Sequence, residues 1–327
     1  MTNLQAVRAL RLALSAYLPW HGARLTLVAQ FILALLQVRS VNLAELATAL
    51  PSRAKRHSNY IRWQRFFRGF VIDQEWIART VAQWLPLPER WVLTLDRTNW
   101  RLGRVEINLL VLAVQYQQMA LPLLWTVLGK AGNSNTAERR TLMERFIGIF
   151  GRARIAYLLA DREFIGGQWL EFLRREGIGF RIRLKADALL STARGQRPVL
   201  ACFQDLAVGE RRVLRKARTL WGCRVYLAAL RLESEWLIVM SADHPQRALS
   251  DYAQRWTIET LFGALKSRGF RLESTHLTEP ERLSRLLALL ALATAWAVHT
   301  GHWLAQQQPI AQKNSAAGAV LAVSLRA

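Results

Sequence analysis

The chain has 327 residues, 52% of them apolar, which is enough to bury a sizeable core in one large domain or two and excludes intrinsic disorder. Its 45 Lys and Arg against 23 Asp and Glu leave a net charge of +22, too lopsided for an ordinary metabolic enzyme and suited to a polyanion. The cations are spread along the whole chain, which favours nucleic acid over an anionic membrane surface.

Met1 to Leu18 lacks the apolar core and small-residue cleavage site of a signal peptide, so the cytoplasm is the expected location. Residues 1–88 read as an all-α region, with an apolar helix over Leu25 to Val38, Asn42 capping Leu43 to Leu50, and a break at Pro51. A basic-aromatic segment follows: Arg53, Lys55, Arg56, Arg62, Trp63, Arg65, Phe66, Phe67 and Arg68 precede the next acid, Asp73. It suits a helix whose cations, Arg53, Lys55, Arg56, Arg62 and Arg65 among them, meet DNA phosphates while the aromatics pack inward. A merely solvated basic helix is the competing reading.

Pro86 and Pro88 mark a boundary, and a second region over residues 89–305 has an α/β pattern. Val92, Leu93 and Leu95 lead into Asp96; Val105 to Val114 and Met119 to Leu128 complete a three-stranded meander. Asn133 to Thr136 can cap a helix to about Phe150, and the strand Ile155 to Ala160 ends directly in Asp161. Both aspartates thus read as strand-end carboxylates, displayed at a sheet rim instead of being buried unpaired within a strand. Phe164 to Arg175 reads as a helix and Phe180 to Lys185 as a strand. Residues 186–235, broken by Gly195, Pro198 and Gly209, read as a β-rich insertion containing Cys202 and Cys223, which are either buried thiols or a bridge.

Trp236 to Ser241 resumes an apolar strand before the segment Tyr252 to Lys266. Tyr252, Arg255, Glu259 and Lys266 fall within an arc of roughly 60° if that segment is one α-helix. Leu286 to Val298 reads as a buried helix too short for a bilayer, His299 and His302 as helix-end residues, and 306–327 as a short tail. Two Asp and one Glu with no His or Cys cluster suit Mg²⁺, with Mn²⁺ as a substitute, better than zinc. Two ions about 3.5–4 Å apart on Asp96, Asp161 and Glu259 would serve in-line phosphoryl displacement, with Arg255 and Lys266 holding the phosphates.

The Y-(2)-R-(3)-E-(6)-K spacing of Tyr252, Arg255, Glu259 and Lys266 resembles the signature of bacterial DDE transposases of the insertion sequence 4 family. Leu95-Asp96-Arg97-Thr98 is similar to their first acidic motif and Asp161-Arg162-Glu163-Phe164 to their second; the likeness spans about residues 88–300. The resemblance implies an RNase H-like mixed sheet flanked by helices, with the β insertion between the second Asp and the Glu. It implies cut-and-paste transposition through nicking, hairpin formation, hairpin opening and strand transfer at terminal inverted repeats, by a homodimer on paired DNA ends. Phosphate contacts would fall to Tyr252, Arg255 and Lys266, with Arg162 in the second motif also at the DNA. A base-stacking Trp would be Trp236, with Trp221 its rival. A catalytically inactive DNA-binding relative and a structure-selective nuclease of the same fold are the alternatives.

Overall fold

A computed structural model describes residues 3–50 and 54–307; Pro51, Arg53 and the tail beyond residue 307 lie outside the described residues. The chain opens with helices α1 (Asn3–Ser15), α2 (Gly22–Val38), α3 (Leu43–Ala49), α4 (Arg56–Gly69) and α5 (Gln74–Gln83). Local chemistry sets their ends. The Asn42 side chain accepts from the Ala44 amide at 2.9 Å and Asp73 from the Glu75 amide at 2.8 Å, each satisfying a first-turn donor. On α4 the i, i+3, i+4 spacing of Trp63, Phe66 and Phe67 buries all three, while Arg62, Arg65 and Arg68 stay exposed on the opposite face.

Strands β1 (Trp91–Leu102), β2 (Val105–Tyr116) and β3 (Met119–Leu128) form an antiparallel meander. Helix α6 (Thr136–Phe150), with an Asn135/Glu138 capping box, leads to β4 (Ile155–Ala160), α7 (Gly167–Arg175) and β5 (Phe180–Leu184). The insertion holds β6 (Leu189–Thr192), β7 (Gly195–Pro198), β8 (Arg211–Val213), β9 (Arg218–Leu220) and β10 (Cys223–Arg231), after which β11 (Trp236–Ser241) returns to the main sheet. Helices α8 (Ala248–Ala253), α9 (Trp256–Leu265) and α10 (Pro280–Gln307) follow. The strand order is β3, β2, β1, β4, β5, β11, β10, β9, β6, β7, with β8 also pairing β10. Only β1 with β4 and β4 with β5 are parallel. Strand β2 is buried at every position from Ile107 to Tyr116, so both faces of this part of the sheet are covered.

Four expectations need correction. Helix α7 starts at Gly167, not Phe164, because Phe164 is taken into a turn on the Asp161 carbonyl and Gly166 has φ 125°. Residues Tyr252 to Lys266 are two helices, not one: Tyr252 belongs to α8, packed on β5, β10 and β11, whereas Glu259 belongs to α9, packed on β1 and β3. The apolar run Leu286 to Val298 lies inside a 28-residue helix that is long and apolar enough to cross a membrane, yet α10 packs against α2, α4, α5 and β3 as a core helix. Asp96 is mid-strand in β1, whose antiparallel pairing continues to Leu102. The two cysteines are free thiols.

One hydrophobic core runs from Leu10 and Phe31 through Leu110 to Leu290, so packing is continuous across Pro86 and Pro88. Polar ties cross the same join: the Arg285 guanidinium donates to the Phe67 carbonyl at 2.6 Å, and the Gln74 side-chain amide donates to the Ser284 hydroxyl at 3.1 Å. Leu290→Ala, which opens a cavity in the middle of α10, is expected to lower the unfolding free energy by about 2–5 kcal/mol. Because the core is shared, amide hydrogen exchange should accelerate together in α2 and β2; acceleration in only one would mean two independently unfolding bodies.

Candidate active site

The parallel ladder between β1 and β4 brings the two aspartates together. Leu95 pairs with Ala160, so the next residue on each strand is an aspartate, and β4 ends there while β1 continues. Asp96 therefore keeps its antiparallel partner Val111 and loses its parallel one, which opens space beside its side chain. Arg97, the β1 residue after Asp96, ties that strand to the turn after Asp161: its guanidinium pairs with Glu163 at 3.2 Å and reaches Asn108 at 3.1 Å and Asn133 at 3.2 Å.

Two buried polar groups seat the helices that complete the site. Arg181 of β5, 2% exposed, pairs with Asp251 of α8 at 3.1 Å and with Asp243 at 2.7 Å, and its guanidinium lies 4.8 Å from the Tyr157 ring centroid. Under α9, the Thr257 hydroxyl donates to Gln115 Oε1 at 2.5 Å and the Gln115 amide donates to the Thr94 hydroxyl. Strand β5 thus fixes Tyr252, and β1 and β2 fix Glu259.

The result is a closed cluster of Asp96, Asp161 and Glu259 with Tyr252 and Arg255. Arg255 Nη1 donates to Asp96 Oδ2 at 3.0 Å and Nη2 donates to Glu259 Oε1, so one guanidinium bridges a carboxylate of β1 and one of α9. The Tyr252 hydroxyl donates to Asp161 Oδ1 at 3.4 Å, and the Arg255 guanidinium carbon is 5.6 Å from the Tyr252 ring centroid. Burial pushes the Asp96 carboxyl up to about 7, against the opposing pull of Arg255 and of the Arg97 amide that donates to it. Burial likewise raises the Tyr252 hydroxyl, keeping it a donor. Burial works against the charge on Arg255, but Tyr252, Asp96, Asp161 and Glu259 together hold its pKa above the ordinary value.

Lys266 is not in this cluster. Its ammonium donates to the Asn99 carbonyl at 2.8 Å, lies 3.4 Å from Glu273 and sits 5.4 Å from the Trp100 ring centroid, further along β1. Arg162 is exposed in the turn after Asp161, and Lys55, Arg56, Arg62 and Arg65 are exposed on the N-terminal helices, away from the acids in sequence. His299 is engaged by the Trp84 carbonyl at 2.7 Å.

A cleft of about 710 Å³ opens beside the acids, lined by Asp161, Tyr252, Arg255 and Glu259 together with Arg183, Arg211, Glu235 and Leu237. Glu235 and Leu237 line it, and strand alternation turns the intervening Trp236 to the other face, where Arg231 covers its ring at 4.5 Å. Trp221, 37% exposed, occupies the β9 to β10 turn with φ 47°, followed by Gly222 at φ 80°, the paired positive angles of a tight hairpin. The tryptophan that lines the cleft is Trp256, which follows Arg255 in the chain and which no motif in the sequence singles out.

Three oxygen-only donors gathered around a guanidinium, itself a stand-in cation, have the chemistry of a hard divalent-metal site. Among the described residues no three His, Cys, Asp or Glu side chains are placed to hold a metal ion as they stand, because Arg255 lies between Asp96 and Glu259. The raised Asp96 value carries a stability consequence. Between its ordinary value of 3.8 and about 7 the folded chain holds a proton that the unfolded chain has lost. This contribution is fully present below that window and declines as pH rises through about 7. Urea unfolding in EDTA should show stability falling across the window, and Asp96→Asn should flatten that slope; an unchanged slope would remove Asp96 as its source.

A comparison with curated proteins finds no match for this chain. Residues 87–296, which hold both aspartates, Tyr252, Arg255, Glu259 and the whole β insertion, match the family described as Transposase DDE domain. That match covers well over half of the 327 residues, and the chain belongs to this family of transposases.

Proposed function

We propose that the protein catalyses cut-and-paste transposition of an insertion sequence of the insertion sequence 4 type, with Asp96, Asp161 and Glu259 as its catalytic acids. The observation that carries this reading is their convergence from β1, β4 and α9 onto a single Tyr252–Arg255 pair. The order β3, β2, β1, β4, β5, with three antiparallel strands followed by two parallel ones, supports an RNase H-like core. The helices of residues 1–88 would supply the end-binding region, and Lys55, Arg56, Arg62 and Arg65, exposed on or beside α4, would meet phosphate. Transposase DDE domains generally use divalent metals. Mg²⁺, or Mn²⁺ in its stead, bound as a pair by the three acids would activate the attacking oxygen and stabilise the leaving one.

The chain's own groups supply the rest. Tyr252 and Arg255 flank the acids at the cleft, where a scissile phosphate would meet them, and Lys266 would hold the backbone further along β1. Base stacking, worth about 1–3 kcal/mol, needs a ring on the cleft wall, and Trp256 has that position whereas Trp236 does not. Two ends are processed together, so the active form is a homodimer on paired terminal inverted repeats, acting on chromosomal DNA in the cytoplasm.

The test is a duplex bearing the inverted repeat that flanks the gene, incubated with Mg²⁺ or EDTA and resolved on a denaturing gel. Mg²⁺-dependent nicks and hairpins at the repeat boundary are expected, followed by joining of the cut 3′ end to target DNA. Asp96→Ala, Asp161→Ala and Glu259→Ala should each lower cleavage by about 10³-fold or more while DNA binding persists. Cleavage without joining would make the protein a nuclease; binding without cleavage would make it an inactive DNA-binding relative. Among the tryptophans, Trp256→Ala should reduce hairpin yield more than Trp236→Ala or Trp221→Ala.

A further inference from the structure

We propose that Arg255 is a resident counterion that keeps divalent metal off the acidic cluster until DNA phosphate draws it away, so that metal binding is conditional on DNA. The inference rests on the metal-dependent reading above and adds a regulation to it. Arg255 spends both terminal nitrogens on carboxylates from separate elements, Asp96 of β1 and Glu259 of α9. These are two of the three groups that a metal needs. A guanidinium and a divalent cation cannot neutralise the same pair of oxygens at once, so one has to leave.

The geometry also supplies a reason for Arg255 to go. Its side chain is 9% exposed, and its Nε is buried with no hydrogen-bond partner. A buried donor without an acceptor is costly, so the guanidinium is held strongly through two nitrogens and left unsatisfied at the third. A phosphate oxygen pair offers a planar, bidentate alternative. It has a route in: the 710 Å³ cleft is lined by Arg255 itself and by Arg183 and Arg211. Arg183 is tied there by Glu235 at 2.5 Å, and its own Nε is buried without a partner. Tyr252 holds Asp161 by a single long contact of 3.4 Å, which is easily released.

Phosphate entering the cleft would pull Arg255 off Asp96 and Glu259 and leave both carboxyl groups open to a metal. Without DNA the carboxylates stay neutralised and the protein stays catalytically silent in a metal-rich cell. The coupling is reciprocal: whatever factor DNA adds to metal affinity, metal adds to DNA affinity.

Mn²⁺ binding, followed by the electron paramagnetic resonance signal of the free ion at constant ionic strength, tests this without using activity. Wild-type protein alone should bind Mn²⁺ weakly, and a duplex carrying the flanking terminal repeat should tighten binding at least about tenfold. Glu259→Gln with the same duplex corrects for Mn²⁺ held by the DNA. Arg255→Gln should bind Mn²⁺ at least about tenfold more tightly than wild type without DNA and gain little when DNA is added. A merely structural arginine would not raise metal affinity when removed. Arg255→Lys, with one point charge for two carboxylates, should fall between them and serves if the Gln variant does not fold. Equal wild-type affinity with and without DNA, or an Arg255→Gln variant no tighter than wild type, overturns the counterion role and leaves metal-dependent cleavage standing. Absence of protein-bound Mn²⁺ in every state overturns both.

Discussion

The pairing of Leu95 with Ala160 is the constraint on which the site depends. Parallel strands set their residues level, so an Asp following each member of that pair is delivered to the same point by backbone hydrogen bonds alone. The end of β4 then decides what surrounds that point. Beyond it β1 runs on with one edge open, and α9 enters from the β3 side while α8 enters from the β5 and β11 side. A shift of one residue in the β1 to β4 register would send one carboxylate to the opposite face of the sheet. No adjustment of a side-chain rotamer would restore the cluster.

Holding acids in such a place is unfavourable unless something answers their charge. Asp96 shows this directly, its carboxyl pushed up to about 7 by burial although Arg255 and the Arg97 amide both oppose the rise. The buried supports behind the site follow the same logic. Arg181 is as buried as a core leucine, and it is tolerated because Asp251, Asp243 and the Tyr157 ring all face it. Removing one of those partners would leave a charge stranded beneath α8, so the helix that carries Tyr252 has one seating. Gln115, between Thr94 and Thr257, does for α9 with neutral groups what Arg181 does for α8 with charged ones.

How much of this was legible beforehand depended on the range of the forces involved. Strands β3, β4 and β11 were readable to the residue, since apolar runs bounded by Gly, Pro or Asp report local structure. The order of strands and helices let Asp96, Asp161 and Glu259 be read as gathered at one sheet edge, whereas Tyr252 and Arg255 were set beside them by a one-helix reading that the structure replaces with α8 and α9. The break between α8 and α9 was not legible: Gln254 and Arg255 contain no helix breaker and both keep right-handed helical angles, so only packing of Tyr252 on β5, β10 and β11 separates the helices. Lys266 left the helix face for the same reason. It closes α9 with ψ −120° and is drawn to the Asn99 carbonyl, a partner 167 positions away. The position of Asp96 within a longer strand, the Arg97 to Glu163 link and the cleft position of Trp256 are likewise products of tertiary pairing that no local pattern encodes.

Under the proposed function, the distribution of charge would let a chain with a net charge of +22 be selective about DNA. Cations such as Arg62 and Arg65 on α4 are exposed, and under the proposed function they would offer a salt-sensitive grip that any duplex can use. The cations at the cleft differ because they are already paired: Arg255 with Asp96 and Glu259, Arg183 with Glu235. A phosphate gains from them only if it replaces those carboxylates with comparable geometry, so loosely placed DNA gains almost nothing there. Exposed cations would therefore set how tightly the protein holds DNA in general, and paired cations how well placed a phosphodiester must be before the acids are released to act on it.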